Sequence, residues 1–440
     1  MTAAPGRIDA LVTGRGLPAL LSALDLAEVG LRVVVSGGAS ETLASPERDP
    51  EGLIAALLLE RIAAPIEGAG SGPDAALLPR RTTPPPPHLV DRGGSWSPQP
   101  IPAVLGVPAV PLAAESLRLL GAGGALRAYL DRVSPLLTIG KTASFGELVR
   151  KRLGRAVVER SVAPLIRERY GVPAEEVEAA IAAPGLNEAL SRTGSLSAAA
   201  LAYSERSAAR EARVEPAGGW AGLAEALSRR LELYGVDFLG EPPRSVARAG
   251  TAWAVELGDG RRFETRSLVL DLGREPEVEA AFGLAAELLP DRVRAVSEIE
   301  IDVSPAGVGG LPPAAVGVRV VDACALRIDL DAGRAVLSGP ATPRSECRRI
   351  DPTVAAKALE ASGIAPVAGA EWRSEGFRAA PYATVRERDA AADRLIRASI
   401  DDPELLPVGR LLHGDDLGAA IASAHERTVA LRRELLGLGG

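Results

Sequence analysis

Histidine, cysteine and aromatic residues are scarce in this chain, and each scarcity removes a class of chemistry. The 440 residues hold three histidines, His88, His413 and His425, and two cysteines, Cys324 and Cys347. None stands at the spacing of a zinc site or a CxxC pair, so neither metal catalysis nor a dithiol redox centre is expected. Lone histidines at these separations read as structural. No run of about eighteen uncharged apolar residues occurs, which excludes a membrane-spanning helix. The apolar N-terminal stretch is broken by Gly14, Arg15 and Asp25 and lacks a cleavage site. It therefore reads as folded structure and not as a signal peptide, with a cytoplasmic location as the default expectation. Long basic runs are absent too. Lys+Arg 50 against Asp+Glu 57 gives a net charge of −7, and a nucleic-acid partner is not expected.

What is present is ample apolar material: 47% hydrophobic residues, enough for sizeable cores in two or more substructures. The most informative stretch lies near the beginning. An apolar run, Ile8 to Thr13, meets Gly14-Arg15-Gly16-Leu17-Pro18-Ala19; an Ala/Leu-rich helical stretch follows, then a second apolar run, Val33-Val34-Val35-Ser36. This is the order of a strand–helix–strand dinucleotide unit. Glycines at 14 and 16 let the backbone turn and approach a pyrophosphate at the helix N-terminus, and the small Ala19 lets the helix lie close to the strand. The same string also suits a βαβ unit that binds nothing. Where an Asp or Glu should grip a ribose hydroxyl, the chain has Ser36, and Pro18 removes one N–H donor from the first helical turn. NAD(P) binding meets the same missing acid, with Arg32 poorly placed for a 2′-phosphate.

Further along, residues 51–64 have helical spacing, and residues 68–102, rich in Gly and Pro, read as an exposed connection. Residues 111–136 resume helical spacing, broken around Gly121–Gly124. Ser144 followed by Glu147 is a capping-box signature opening an amphipathic helix to Gly154. Its basic residues Arg150, Lys151 and Arg152, with Arg155, read as a solvated face, or else as a contact for an anionic substrate or a membrane surface. Residues 216–227 form a glycine-rich turn into a helix. Residues 245–272 alternate like short antiparallel strands around a Gly258-Asp259-Gly260 turn, and more strands are expected from Val293 to Gly339. Helices are expected over 353–362 and 403–405. In the tail, Val408 to Gly418 reads as a short strand and a polar glycine turn leading into a helix over 419–436. That turn is either an anion-friendly helix N-terminus or one capped by Asp415 and Asp416.

Several of these strings occur together in one family. The N-terminal GxGxxA unit, Leu105-Gly106-Val107-Pro108, the helix 144–154, the run Val158-Glu159-Arg160-Ser161-Val162-Ala163-Pro164-Leu165, residues 216–227 and Gly414–Ser423 resemble, in order, the flavin-dependent protoporphyrinogen and coproporphyrinogen oxidases. These lie within the flavin amine oxidase and phytoene desaturase superfamily. The resemblance implies an α/β fold: a Rossmann-like FAD/NAD(P)-binding domain and a discontinuous α+β substrate domain. The FAD domain would comprise residues 1–75, 215–278 and 391–440, with a helical insertion over 76–214 and a substrate-domain sheet over 279–390. FAD would lie with its diphosphate over Gly14, Gly16, Leu17 and Ala19, its ribose at Ser36, its adenine near Val246 and its ribityl chain near Gly414 and Asp415. Trp372, Arg373 and residues 377–382 align loosely with a family segment that borders the flavin, where Arg373 or Arg378 would meet a substrate carboxylate or else form a structural ion pair. The implied activity removes hydrides from a tetrapyrrole-like or other conjugated apolar substrate, with oxygen as acceptor, and allows a peripheral membrane contact.

This chain departs from the family at three points: Ser36 replaces the ribose acid, the Gly-Gly-Arg loop after the second strand is not found, and Ala424 follows Ser423 where the family has glycine. Gly37-Gly38-Ala39 comes too early for that loop and lacks the arginine. Each lost charge-assisted contact costs on the order of 1.5–3 kcal/mol. Two expectations therefore stand side by side: an FAD-dependent oxidoreductase, and a flavin-free, non-catalytic relative acting as a binding or partner protein. The residues name no catalytic acid or base and do not fix the oligomeric state.

Overall fold

A computed structural model describes residues 8–37, 43, 45–65, 72–134, 143–272 and 287–438. Gly38, Ala39, residues 68–71 and Leu136, on which readings above depend in part, lie outside these. The chain divides into two compact units, one of residues 1–83, 211–290 and 389–440, the other of 84–210 and 291–388.

In the first unit, the strand Ile8–Thr13 and the strand Val33–Ser36 are apolar on both faces, as strands buried between two layers must be. Ala10, Val12, Val33 and Val35 face the first helix, Leu17–Ala27, whereas Leu11 and Val34 pack with Trp253, Val255 and Leu268 on the other side. The sheet runs Asp237–Leu239, Val33–Ser36, Ile8–Thr13, Arg262–Asp271, Ala252–Leu257, Pro243–Ala249, with Leu405–Val408 beside Arg262–Asp271. Five of these strands are parallel, so their carboxyl ends share one edge. The remaining two form an antiparallel hairpin.

Three stretches differ from the sequence-based expectation. The stretches 262–265 and 267–272 are one strand, antiparallel to its hairpin partner in its first half and parallel to the first strand in its second. The helix expected at 403–405 is instead the start of the strand Leu405–Val408, whose buried apolar run completes the parallel set. Residues 68–102 are not a plain connection, since Pro79–Thr82, His88–Val90 and Trp96–Pro98 all join sheets. Pro79 opens an edge strand and Pro98 lies in another, positions that a residue without an N–H can take.

The C-terminal helix, Leu417–Leu435, lies along the first helix. Thr428 donates to Ser22 at 3.0 Å, and His425 Nδ1 meets Asp25 at 2.9 Å. Asp25 is buried and also pairs with Arg61 at 2.7 Å, so His425 is structural.

The second unit joins a helical layer to an eight-stranded sheet containing 292–300, 316–321, 324–329, 334–338 and 373–379. The Ser144 cap forms as expected, accepting from the Glu147 N–H at 3.2 Å. The basic face does not hold throughout: Arg152 is buried and its Nε lies 2.5 Å from the fully buried Asp131. The reason is positional, because Arg152 lies on the inward side of the helix Phe145–Leu153, where burying a guanidinium requires a partner.

Candidate functional site

Ligands of open α/β sheets bind outside the carboxyl ends of the strands, where the strand order reverses. In this chain that place is the edge formed by Thr13, Ser36, Asp271 and Val408. The loop at Gly14 turns with φ +82°, a conformation that favours glycine. The Gly14 N–H donates to Ser36 O at 2.7 Å and the Gly37 N–H to Leu239 O at 3.1 Å, tying three strand ends together. Gly16 is the N-cap of the first helix and Pro18 falls within its first turn, where its missing donor costs no helical bond.

The Gly16 N–H, aimed outward from the helix N-terminus, donates to the Asp271 carboxylate at 2.7 Å. Asp271 is 7% exposed. A methyl group on Gly14 would lie 2.6 Å from Asp271 Oδ2, one on Gly16 2.7 Å from the same oxygen, and one on Gly409 3.3 Å from Oδ1. Three glycines from two loops therefore close around one side chain of the chain itself. The first-loop glycines are the residues expected to face a diphosphate, and Asp271 carried no signal in the sequence beyond being an acid at the end of an apolar strand.

Of the other residues expected at a cofactor, Asp415 is taken up by the chain itself and Val246 lies apart, in the hairpin. Ser36 is fully buried and its Oγ has no hydrogen-bond partner. Leu17 and Ala19, in the first turn of the helix, have their side chains buried in the core. Val246 pairs with Val255 in the hairpin, separated from the second strand by three strands. Gly414 adopts a left-handed turn with φ 60° after the short helix Arg410–His413. Asp415, itself at φ 63°, pairs with Arg410 at 3.2 Å, and Arg410 also reaches Glu47 at 3.2 Å. Asp416 caps the C-terminal helix, accepting from the Ala419 N–H at 2.9 Å. Asp49 takes the Ile54 and Ala55 N–H groups at 3.0 Å. Carboxylates of the chain thus hold the backbone donors at the first-helix, C-terminal-helix and residue-54 starts.

These residues do not fit a dinucleotide diphosphate. An anion cannot take the Gly16 N–H while Asp271 holds it, and among the described residues no acid stands at the end of the second strand. In the second unit, Arg373 is exposed and pairs with Glu298 at 3.6 Å and Glu300 at 3.8 Å, whereas Arg378 lies in register with Arg294. Of the residues expected to bind cofactor, the structure brings Gly14, Gly16 and Ser36 together, and it places Val246 elsewhere.

His413 is half-buried, and desolvation first, then the Arg427 guanidinium, push its pKa down to about 4 against a weaker pull from Asp416. Arg427 is itself lowered to about 10 by burial. Because the folded value of His413 lies below the unfolded one of about 6.5, the unfolded chain binds a proton that the folded chain refuses. This stability is complete above pH 6.5 or so and is lost as the pH falls towards 4, by about 3 kcal/mol in total. Urea unfolding at pH 7 and pH 4.5 should show the difference, and His413→Gln should shrink it. An unchanged difference in that variant would assign the pH dependence to other groups.

The parallel sheet with its glycine loop, the antiparallel hairpin and the separate sheet-and-helix unit define the fold of FAD-dependent oxidoreductases of the amine oxidase type. Among solved structures, the chain is similar to a protein from Exiguobacterium sp. 255-15 provisionally assigned as a protoporphyrinogen oxidase, with TM-score 0.70 at 17% identity, covering 98% of this chain and 100% of that one. It is also similar to reduced UDP-galactopyranose mutase, with TM-score 0.56 and 12% identity over 98% and 96% of the two chains. A redesigned putrescine oxidase gives TM-score 0.50 and 12% identity over 98% and 99%. No protein-family model matches the chain, and no curated protein matches it. Among the described residues no helix is long and apolar enough to cross a membrane, and no group of His, Cys, Asp or Glu is arranged to hold a metal.

Proposed function

We propose that this chain is a flavin-free, non-catalytic relative of the flavin oxidoreductases, which acts as a binding or partner protein. The observation that carries the reading is the Asp271 carboxylate on the Gly16 N–H, 2.7 Å away and enclosed by glycines. A diphosphate brought beside it would set two negative charges about 4 Å apart. At an effective dielectric of 20 that repulsion is about 4 kcal/mol, or roughly three decades of affinity. The missing ribose acid adds to the loss. The partner class is a tetrapyrrole-like or other apolar small molecule, or another protein; the net charge of −7 disfavours nucleic acid.

The alternative is an FAD-dependent enzyme resembling the porphyrinogen oxidases, removing hydrides from a tetrapyrrole-like substrate with oxygen as acceptor. It is favoured by the survival of Gly14 and Gly16 at the carboxyl ends of parallel strands, and it requires Asp271 to leave its buried position. Purification followed by FAD titration separates the two. The flavin-free reading expects colourless protein, no calorimetric heat and no change in Tm. A ligand at a hundredfold excess over its Kd stabilises by about 2.7 kcal/mol, so yellow protein or a raised Tm would overturn it.

A further inference from the structure

We propose that Asp271 is a built-in substitute for an anionic ligand: its carboxylate holds the N-terminus of the first helix from within the chain, and its removal opens that place to a free phosphate-type anion. This deepens, and rests on, the flavin-free reading above. The first N–H groups of an α-helix lack intrahelical partners, and the helix dipole favours negative charge beside them. Free phosphates are bound at such positions because they supply oxygen acceptors and charge together. A carboxylate supplies the same two things on a smaller scale, and Asp271 Oδ2 stands 2.7 Å from the Gly16 N–H.

The surroundings fit an enclosed anion and leave no space for a second. Gly14 contributes a wall that any side chain would destroy, since its Cβ would lie 2.7 Å from Asp271 Cβ and 2.6 Å from Oδ2. Gly409, at the end of the strand Leu405–Val408, closes the opposite side, where a Cβ would strike Leu272 O at 2.5 Å and approach Asp271 Oδ1 at 3.3 Å. The backbone of Asp271 is fixed as well: its N–H donates to Thr13 Oγ1 at 3.3 Å, and Thr13 Oγ1 donates to Val269 O at 3.4 Å. The carboxylate is therefore presented by a central parallel strand and not by a mobile loop. Replacing it with hydrogen leaves the Gly16 N–H, the helix dipole and the glycine walls in place without an anion.

The test uses the full chain as wild type, Asp271→Gly and Asp271→Asn, with inorganic pyrophosphate as the probe, followed by calorimetry and thermal melting. Wild type should bind no pyrophosphate. Asp271→Gly should melt below wild type, show the pyrophosphate-binding heat that wild type lacks, and regain Tm when it is added. Asp271→Asn keeps an acceptor and most of the volume, so it should stay closed to pyrophosphate while melting below wild type through loss of charge. If Asp271→Gly is folded and binds no pyrophosphate, the proposal is wrong, whatever its Tm. If that variant does not fold alone, folding on addition of pyrophosphate supports the proposal. Should it stay unfolded in pyrophosphate, Asp271→Asn decides: a Tm equal to that of wild type overturns the proposal, and a lower one supports it. Failure of the flavin-free reading shows separately, as FAD binding by the wild type.

Discussion

Asp131→Ala should destabilise the second unit by about 3–5 kcal/mol, measured as a lowered urea midpoint. Asp131 is fully buried; one carboxylate oxygen accepts from the Leu196 N–H at 2.5 Å and the Ser197 N–H at 3.2 Å, and the other lies 2.5 Å from Arg152 Nε as an ion pair. Both N–H groups belong to the first turn of the helix Leu196–Arg210, so the same carboxylate neutralises a buried guanidinium and completes a helix start. Arg152 spends its other donors on the carbonyls of Ser134, Asp131 and Gly194. Deleting the acid leaves those bonds in place around a buried charge with no counter-charge, which is why the loss exceeds that of an exposed pair. Exposed pairs such as Arg155 with Glu159 contribute less than about 1 kcal/mol. Asp131→Asn, which retains an acceptor, should lose less than Asp131→Ala. A loss below 1 kcal/mol in the alanine variant would show that Arg152 finds water when its partner is removed.

The legible part of this fold was the part encoded by neighbouring residues. The strand Ile8–Thr13, the glycine turn, the helix behind Pro18 and the strand Val33–Ser36 follow from apolar runs and glycine positions within thirty residues. The Ser144 cap and the Asp416 cap follow from a side chain meeting an N–H three residues on. What sequence spacing does not carry is contact between distant segments. Arg152 reads as one of a run of basic surface residues because its partner is 21 positions away in another helical turn. Gly16 reads as a cofactor contact because glycine at a helix start is equally suited to any anion, and the anion it meets lies 255 positions along the chain. Asp271 ends an apolar strand, Ser267-Leu268-Val269-Leu270, and an acid there looks like the ordinary onset of a loop. Only the parallel pairing of that strand with the first one brings its carboxylate to the glycine loop.

That long-range contact gives the second large effect. Gly14→Ala should cost on the order of 2–5 kcal/mol, combining a left-handed backbone with a Cβ pressed against Asp271. Gly16→Ala is the cleaner probe, because Gly16 has an extended backbone at φ −64° and ψ 150° that alanine adopts without strain. Its whole penalty, about 1–3 kcal/mol, comes from placing a methyl 2.7 Å from Asp271 Oδ2. If the glycines enclose Asp271, the two positions are energetically coupled. The decisive measurement is the double-mutant cycle of Gly16→Ala and Asp271→Gly, read by urea unfolding of the four proteins. The expected result is that Gly16→Ala destabilises the wild type but costs almost nothing once Asp271 is glycine, a coupling of about 1–3 kcal/mol. Equal costs in both backgrounds would mean that the glycine loop is shaped for something other than Asp271, and would return the site to a cofactor.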